Sequence, residues 1–279
     1  MSSRQPVSAP RRKSVQRRRI GPVVAILAAA GLGLLVLPLL GLLVRAPWAE
    51  LPGLITSGPV LQALGLSLGT AAISLVLCLL FGIPLAVLLT HSQAWRVVPR
   101  RLLRAAITIP LVLPPVVGGI ALLLLLGRRG ILGQWLAQVG VTIPFTTGAV
   151  VIAQTFVAMP FLVFAVEGAL RSADRRSELA AATLGASPAQ TFRLVTLPLV
   201  APGIAAGAVL CFTRALGEFG ATITFAGSFP GVTRTLPIAS YLAMSSDPEV
   251  AIALALVLLA VSALVLLTLR DRWLPGVVR

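Results

Sequence analysis

The sequence predicts an all-α integral membrane protein with six transmembrane helices and both termini on the cytoplasmic side. Three observations carry this. Hydrophobic residues make up 57% of the 279 and charged residues only 11%, with a mean hydropathy of +0.99. A soluble protein of this length carries about a quarter charged residues. Apolar runs near the ~20 residues needed to cross a bilayer recur six times, and the basic residues are distributed unevenly about those runs.

The first run, about 20–44, follows a basic stretch with seven Lys and Arg in residues 1–19. It exceeds a signal-peptide core, and "VRAPWAE" offers no small-x-small cleavage site, so a retained helix is expected rather than a secretory or twin-arginine ("RRKSV") signal. Residues 1–19 read as a disordered cytoplasmic tail that sets orientation and attracts anionic headgroups. The second run, about 60–90, holds Gly82 and Pro84, and an interruption is expected there. The third and fourth cover about 102–126 and 146–170. The fifth, about 198–226, is also long and carries Gly217 and Gly220 as expected breaks. The sixth covers about 250–269. Gly203 and Gly207, like Gly65 and Gly69, have the G-x-x-x-G spacing that permits close backbone approach.

Six spans put both termini on one side, and the positive charges choose which. One side receives the tail, Arg96, Arg100, Arg101, Arg104, Arg171, Arg175, Arg176, Arg193, Arg270, Arg272 and Arg279. The other receives Arg45, Arg128, Arg129 and Arg234, while Arg214 lies within a span. Eighteen against four gives an N-in, C-in chain.

The net charge of +15 could suggest nucleic acid, but the charge lies in short loops and forms no basic stripe with aromatics. No G-x-x-x-x-G-K-[ST] or H-E-x-x-H occurs. The single histidine, His91, reads as solvated beside Ser92 and Gln93. Cys78 and Cys211 both lie in apolar runs, which argues against a disulfide framework or a metal site. No catalytic site and no bound cofactor are expected, so energy for any transport must come from an ion gradient or a separate subunit.

The one long cytoplasmic loop, "RSADRRSELAAATLGASPAQTFRLVTLPLV" (171–200), is too polar for lipid. "SELAAATLG" reads as a short helix capped by Ser177 and stopped at Gly185; "SPAQTFRLV" repeats the device with Ser187 as cap and Pro188 at the first helical position. Leu197-Pro198 then turns the chain back into the membrane. Physics leaves two readings, a rigid surface knob or a helix lying against headgroups.

"ELAAATLG" followed by "LP" resembles the EAA loop of ABC-importer permeases. Ala180, Ala181 and Gly185 match the pattern, as do Leu197 and Pro198, with Val195 in place of the usual Ile. The consensus Glu position holds Leu179, with Glu178 one residue earlier. The resemblance covers about 60–270. It implies a type I ABC-importer permease fold, a homodimer with one pathway between two copies, a cytoplasmic P-loop ATPase seated on the 171–197 loops, and an extracytoplasmic binding protein. The chain itself would hydrolyse nothing.

"IPLVLPPVVGG" (109–119), "LLGRRGILG" (125–133), "RALGEFGATITF" (214–225) and "GVTRTLP" (231–237) together look like molybdate permeases, with tungstate as a co-substrate. Sulfate permeases share the R-A-x-G-E-[FY]-G core and remain the alternative. Candidate pathway or gate residues are Arg214, Gly217, Glu218, Gly220 and Thr222, with Thr233, Arg234 and Thr235 in an outer loop. Arg214 and Glu218 stand four apart inside a span, where charge marks a pathway by default. They are read either as a mutually neutralising brace or as an anion site at Arg214. An ion-coupled secondary transporter is the second class, but with Arg104 counted in the preceding loop, Glu167, Arg214 and Glu218 are the charges within spans, too few for a proton relay. Only nine residues follow Arg270, so no C-terminal regulatory domain is expected.

Overall fold

The computed structural model describes residues 21–273; the basic tail 1–19 and Arg279 lie outside the described residues. The described chain divides after Arg45. The first unit is one helix, α1 (Pro22–Val44), with Gly21 as N-cap, Pro22 at its first position and no buried residue. A sequence apolar all round gives it no core-facing stripe, as suits a helix surrounded by lipid.

The second unit begins with a short α2 (Leu51–Ile55) and the 34-residue α3 (Gly58–His91), which ends in a 3₁₀ turn at Ser92–Ala94. Contrary to expectation, α3 runs unbroken through Gly82 and Pro84. Gly82 serves packing instead: a Cβ there would lie 3.1 Å from Leu162 Cδ2 on α7 (Thr147–Ser172).

The third span is bent rather than straight. α4 (Val97–Val112) and α5 (Pro115–Leu126) meet at 115°. The cause is local: Leu113 and Pro114 each precede a proline, which drives both to extended ψ (136° and 131°), and Pro115 then opens α5. After α6 (Gly133–Gln138), α7 starts with Thr146 accepting from the Ala149 N–H. Counting the bent pair as one, the described helices supply up to six apolar spans.

The loop forms α8 (Arg175–Thr183) and α9 (Pro188–Thr191). The cap of α8 is Asp174, not Ser177: its carboxylate accepts from Arg176 N–H at 2.9 Å, so the helix begins three residues before "ELAAATLG". Ser187 and Gln190 make a reciprocal capping box on α9, with Pro188 in its first turn. Leu197-Pro198 does not end the segment. A π turn (Phe192–Thr196) runs directly into α10 (Leu197–Leu216). The wider turn, with Leu197 N–H reaching Phe192 C=O, accommodates Pro198, which can donate no bond and crowds an α-helical turn.

The fifth span does break where glycine announced it. α10 stops at Leu216, and α11 (Gly220–Ala226) follows after three residues. α12 (Leu236–Ala243) and α13 (Pro248–Trp273) complete the unit. Three buried clusters hold it together, at α3–α7–α10, α5–α7–α11 and α3–α12–α13. Gly203 and Gly207 serve the first: a Cβ at Gly207 would lie 2.8 Å from Ala165 Cβ, and Gly203 meets Ala169 in the same way, so this pair of glycines joins α10 to α7 within one chain. Gly65 and Gly69 face open space.

Candidate functional site

Two regions carry the chemistry: the break between α10 and α11, and the loop between α7 and α10. At the break, Arg214 occupies the last turn of α10, and Glu218 lies just past its end. Arg214 Nη1 stands 2.7 Å from Glu218 Oε2, with the carboxylate side chain 1% exposed and the guanidinium side chain 27% exposed. The other carboxylate oxygen, Oε1, accepts from Ala221 N–H at 2.8 Å and so satisfies the opening turn of α11.

This differs from two charges on one continuous helix face. Arg before Glu is the poorer order within a helix. Here the cation sits at a helix C-terminus and the anion at the start of the next helix, each at the end whose dipole favours it. Glu218 is therefore both a counter-charge and a cap.

α11 is held against the elbow span through backbone contact. A Cβ at Gly220 would lie 2.9 Å from Pro115 Cβ, and one at Gly119 would lie 2.8 Å from both Ala221 O and Thr224 Cβ. Thus "LPPVVGG" and "GEFGATITF", far apart in sequence, form one packed joint. Gly217 caps α10 on the exposed side of the break. Thr222 is fully buried in α11, its hydroxyl unpartnered among the described residues.

The outer-loop candidates face inward. Thr233 Oγ1 accepts from Phe229 N–H at 2.9 Å, and the Arg234 guanidinium donates twice to Ser228 C=O at 3.2 and 3.1 Å. Thr235 is buried, and the next residue's N–H, from Leu236, donates to Ser67 Oγ at 2.7 Å. Thr147 Oγ1 pins the same loop through Val232 C=O. Thr233, Arg234 and Thr147 hold the loop's shape, while the buried Thr235 hydroxyl is unpartnered among the described residues.

In the loop between α7 and α10, Glu178 Oε1 accepts from Thr196 Oγ1 at 2.6 Å and ties α8 to the π turn before α10. Although offset by one residue from the family pattern, this carboxylate has a defined partner. Ala180 and Ala181 lie on α8 and supply carbonyls to its end: Leu184 N–H bonds to Ala180 C=O, and Ala186 N–H bonds to Ala181 C=O across Gly185, which has φ +85°. That pattern is a Schellman stop, and its left-handed residue favours glycine. Leu184, beside it, is 89% exposed. Behind the loop lies a cavity of ≈ 1090 Å³, lined by residues such as Thr90, His91, Glu178 and Thr196.

Hydropathy and span bounds alone assign Glu167 no partner. The structure gives it two: Arg104 Nη1 from α4 at 3.1 Å and Arg171 Nη2 at 2.6 Å. The signal available was the Glu-to-Arg spacing of four on one helix, which favours pairing. The Arg104 contribution depends on how α4 packs against α7. A second network also went unseen: Ser74 Oγ donates to Val151 C=O at 3.0 Å and lies 3.2 Å from Gln154 Oε1 in the α3–α7 seam.

Residues 82–275 match the family described as binding-protein-dependent transport system inner membrane component. The molybdenum transport system permease protein ModB of Mycobacterium tuberculosis is 52% identical over 240 residues, which are 86% of this chain and 90% of that one. The ModB protein of Escherichia coli is 39% identical over 227 residues, or 81% and 98% of the two chains. Among solved structures, the fold resembles a chain of a bacterial alginate ABC transporter in complex with an alginate pentasaccharide-bound periplasmic protein. The TM-score is 0.69 at 18% identity, covering 89% of this chain and 92% of that one.

Proposed function

The chain belongs to the family of binding-protein-dependent transport system inner membrane components, and from that premise we propose that it is the permease subunit of an ATP-driven molybdate importer. Tungstate, of like shape and charge, is proposed as a second substrate. The likeness to molybdenum permeases over most of the chain carries the substrate.

Two copies of the chain enclose one pathway. A cytoplasmic ATPase binds the exposed tip of the α8–α9 loop around Leu184, and a binding protein delivers the oxyanion from outside. The membrane chain holds no nucleotide; ATP belongs to the partner subunit. Closure of the ATPases moves the loop, and Glu178–Thr196 passes that movement to α10, which ends at the Arg214–Glu218 break. The break acts as a gate, with Glu218 neutralising and positioning Arg214 so that a dianion can be drawn past without being trapped. The two buried carboxylates among the described residues, Glu167 and Glu218, are both ion-paired. That supports a chain driven by a separate ATPase over one that shuttles protons.

The test is uptake of labelled molybdate by cells lacking their own molybdate permease and supplied with this chain, its ATPase and its binding protein. Uptake that requires all three and resists excess sulfate is the expected result. Uptake abolished by sulfate would reassign the substrate, and uptake without the ATPase would overturn the class.

A further inference from the structure

Glu167 is a buried carboxylate for which the transport reading has no use, and its surroundings point to one. It sits on α7 one turn before that helix gives way to the loop, with its side chain 4% exposed. One oxygen, Oε1, meets both arginines: Arg171 on its own helix and Arg104 on α4. Arg104 also lies over the Phe164 ring, 5.6 Å from its centroid. With its amide oxygen turned toward Arg171, Gln93 in the turn after α3 accepts from Nη2 at 3.1 Å and Nε at 3.2 Å. α4 and α7 thus meet at one carboxylate, and the turn after α3 joins them through Arg171.

The two arginines are not equivalent. Either one supplies a counter-charge for Glu167, but they join different elements: Arg171 ties α7 to the turn after α3 through Gln93, and only Arg104 ties α7 to α4. α4 leads through the 115° elbow into α5, and α5 is locked to α11 at Gly119 and Gly220, next to Glu218. α7 is locked to α10 at Gly203 and Gly207. Movement of the loop therefore reaches α7 and α10 directly; α7 also packs on α4 and α5 through apolar side chains, and Arg104–Glu167 is the ion pair among the described residues that fixes α4 to α7.

We propose that Glu167 and Arg104 are positioning residues forming an inner clamp that makes the α4–α5 elbow move with the loop, so that ATP hydrolysis and opening at Glu218 stay coupled. A charge-assisted bond between helices suits the task, because it fixes a geometry yet can be broken and remade. The proposal rests on the ABC-importer reading given above.

The experiment uses the full complex in proteoliposomes with molybdate-loaded binding protein, measuring uptake and ATP hydrolysis together. Wild-type uptake driven by ATP is the control, and its failure would count against the importer reading rather than the clamp. Arg104→Gln removes the link between helices and leaves Glu167 paired with Arg171. Molybdate taken up per ATP is expected to fall roughly ten-fold, the scale of one lost charge-assisted hydrogen bond, while hydrolysis continues. Arg171→Gln keeps the α4–α7 link, removes a partly exposed pair within α7 and its bond to Gln93, and is expected to stay within about two-fold of wild type, the scale of an exposed i,i+4 pair. Glu167→Gln, which preserves shape at the buried site, is read in parallel and should resemble Arg104→Gln. If Arg104 served only to neutralise Glu167, the two arginine variants would behave alike. Equal effects, or an unchanged ratio of uptake to hydrolysis in Arg104→Gln and Glu167→Gln, would overturn the proposal.

Discussion

At the scale of single residues, Arg214 and Glu218 show how far a sequence can carry a charge pair. The spacing of four and the apolar setting left a mutually neutralising brace or an anion site at Arg214, and the structure brings the two side chains within 2.7 Å. The capping bond from Ala221 N–H was not legible, because it exists only where the helix breaks. It changes what each variant should do. Glu218→Ala removes the counter-charge and the cap together, while Arg214→Ala strands the buried Glu218 carboxylate, and a buried charge left without its partner costs about 3–5 kcal/mol. Glu218→Gln keeps an oxygen for Ala221 N–H. Uptake of labelled molybdate, normalised to membrane protein level, should therefore be lowest in Glu218→Ala and Arg214→Ala. It should be higher in Glu218→Gln, and partly recovered in Arg214→Met with Glu218→Gln. A double variant as inactive as Arg214→Ala would instead mark Arg214 as the anion's own contact. The outer-loop threonines teach the converse: Thr233 and Thr235 read as candidates for contact, yet both are buried in the loop's own packing.

At the scale of elements, local rules worked where the chain is self-contained. Gly185 was expected to stop a helix, and it does so at φ +85°. A valine there would be strained by about 1–2 kcal/mol. Gly185→Val should reduce uptake and co-purification of the ATPase while the chain still inserts, as judged by membrane extraction and pull-down; normal values for both would make the loop passive. Ser187 and Pro188 open α9 as expected. Rules failed where packing overrides propensity. Gly82 and Pro84 do not interrupt α3, because Gly82 packs closely on α7 and lipid-length helices tolerate an internal proline. The sharp elbow at Leu113–Pro114 follows from consecutive prolines, though span length and hydropathy alone give only the bounds of that run.

At the scale of the whole molecule, orientation is the claim most open to test. A cysteine replacing Leu184, on the loop tip, should react with a membrane-impermeant thiol reagent only from the cytoplasmic side. One replacing Val232, exposed at 42%, should react only from outside. The buried native thiols, Cys78 and Cys211, should stay silent in both. The reverse pattern would invert the topology and remove the loop from the ATPase's reach. Composition, span length and charge asymmetry by themselves determined the membrane class and the number of spans, and short motifs such as "ELAAATLG" and "RALGEFGATITF" carried the family resemblance, since each is read from residues close together in the chain and needs no knowledge of neighbours. Only the tertiary structure decided that "LPPVVGG" and "GEFGATITF" form one joint, that Gly203 and Gly207 join α10 to α7, and that Arg104 reaches Glu167. Those contacts link residues tens to more than a hundred positions apart, and helix packing, not periodicity, brings them within a few ångströms.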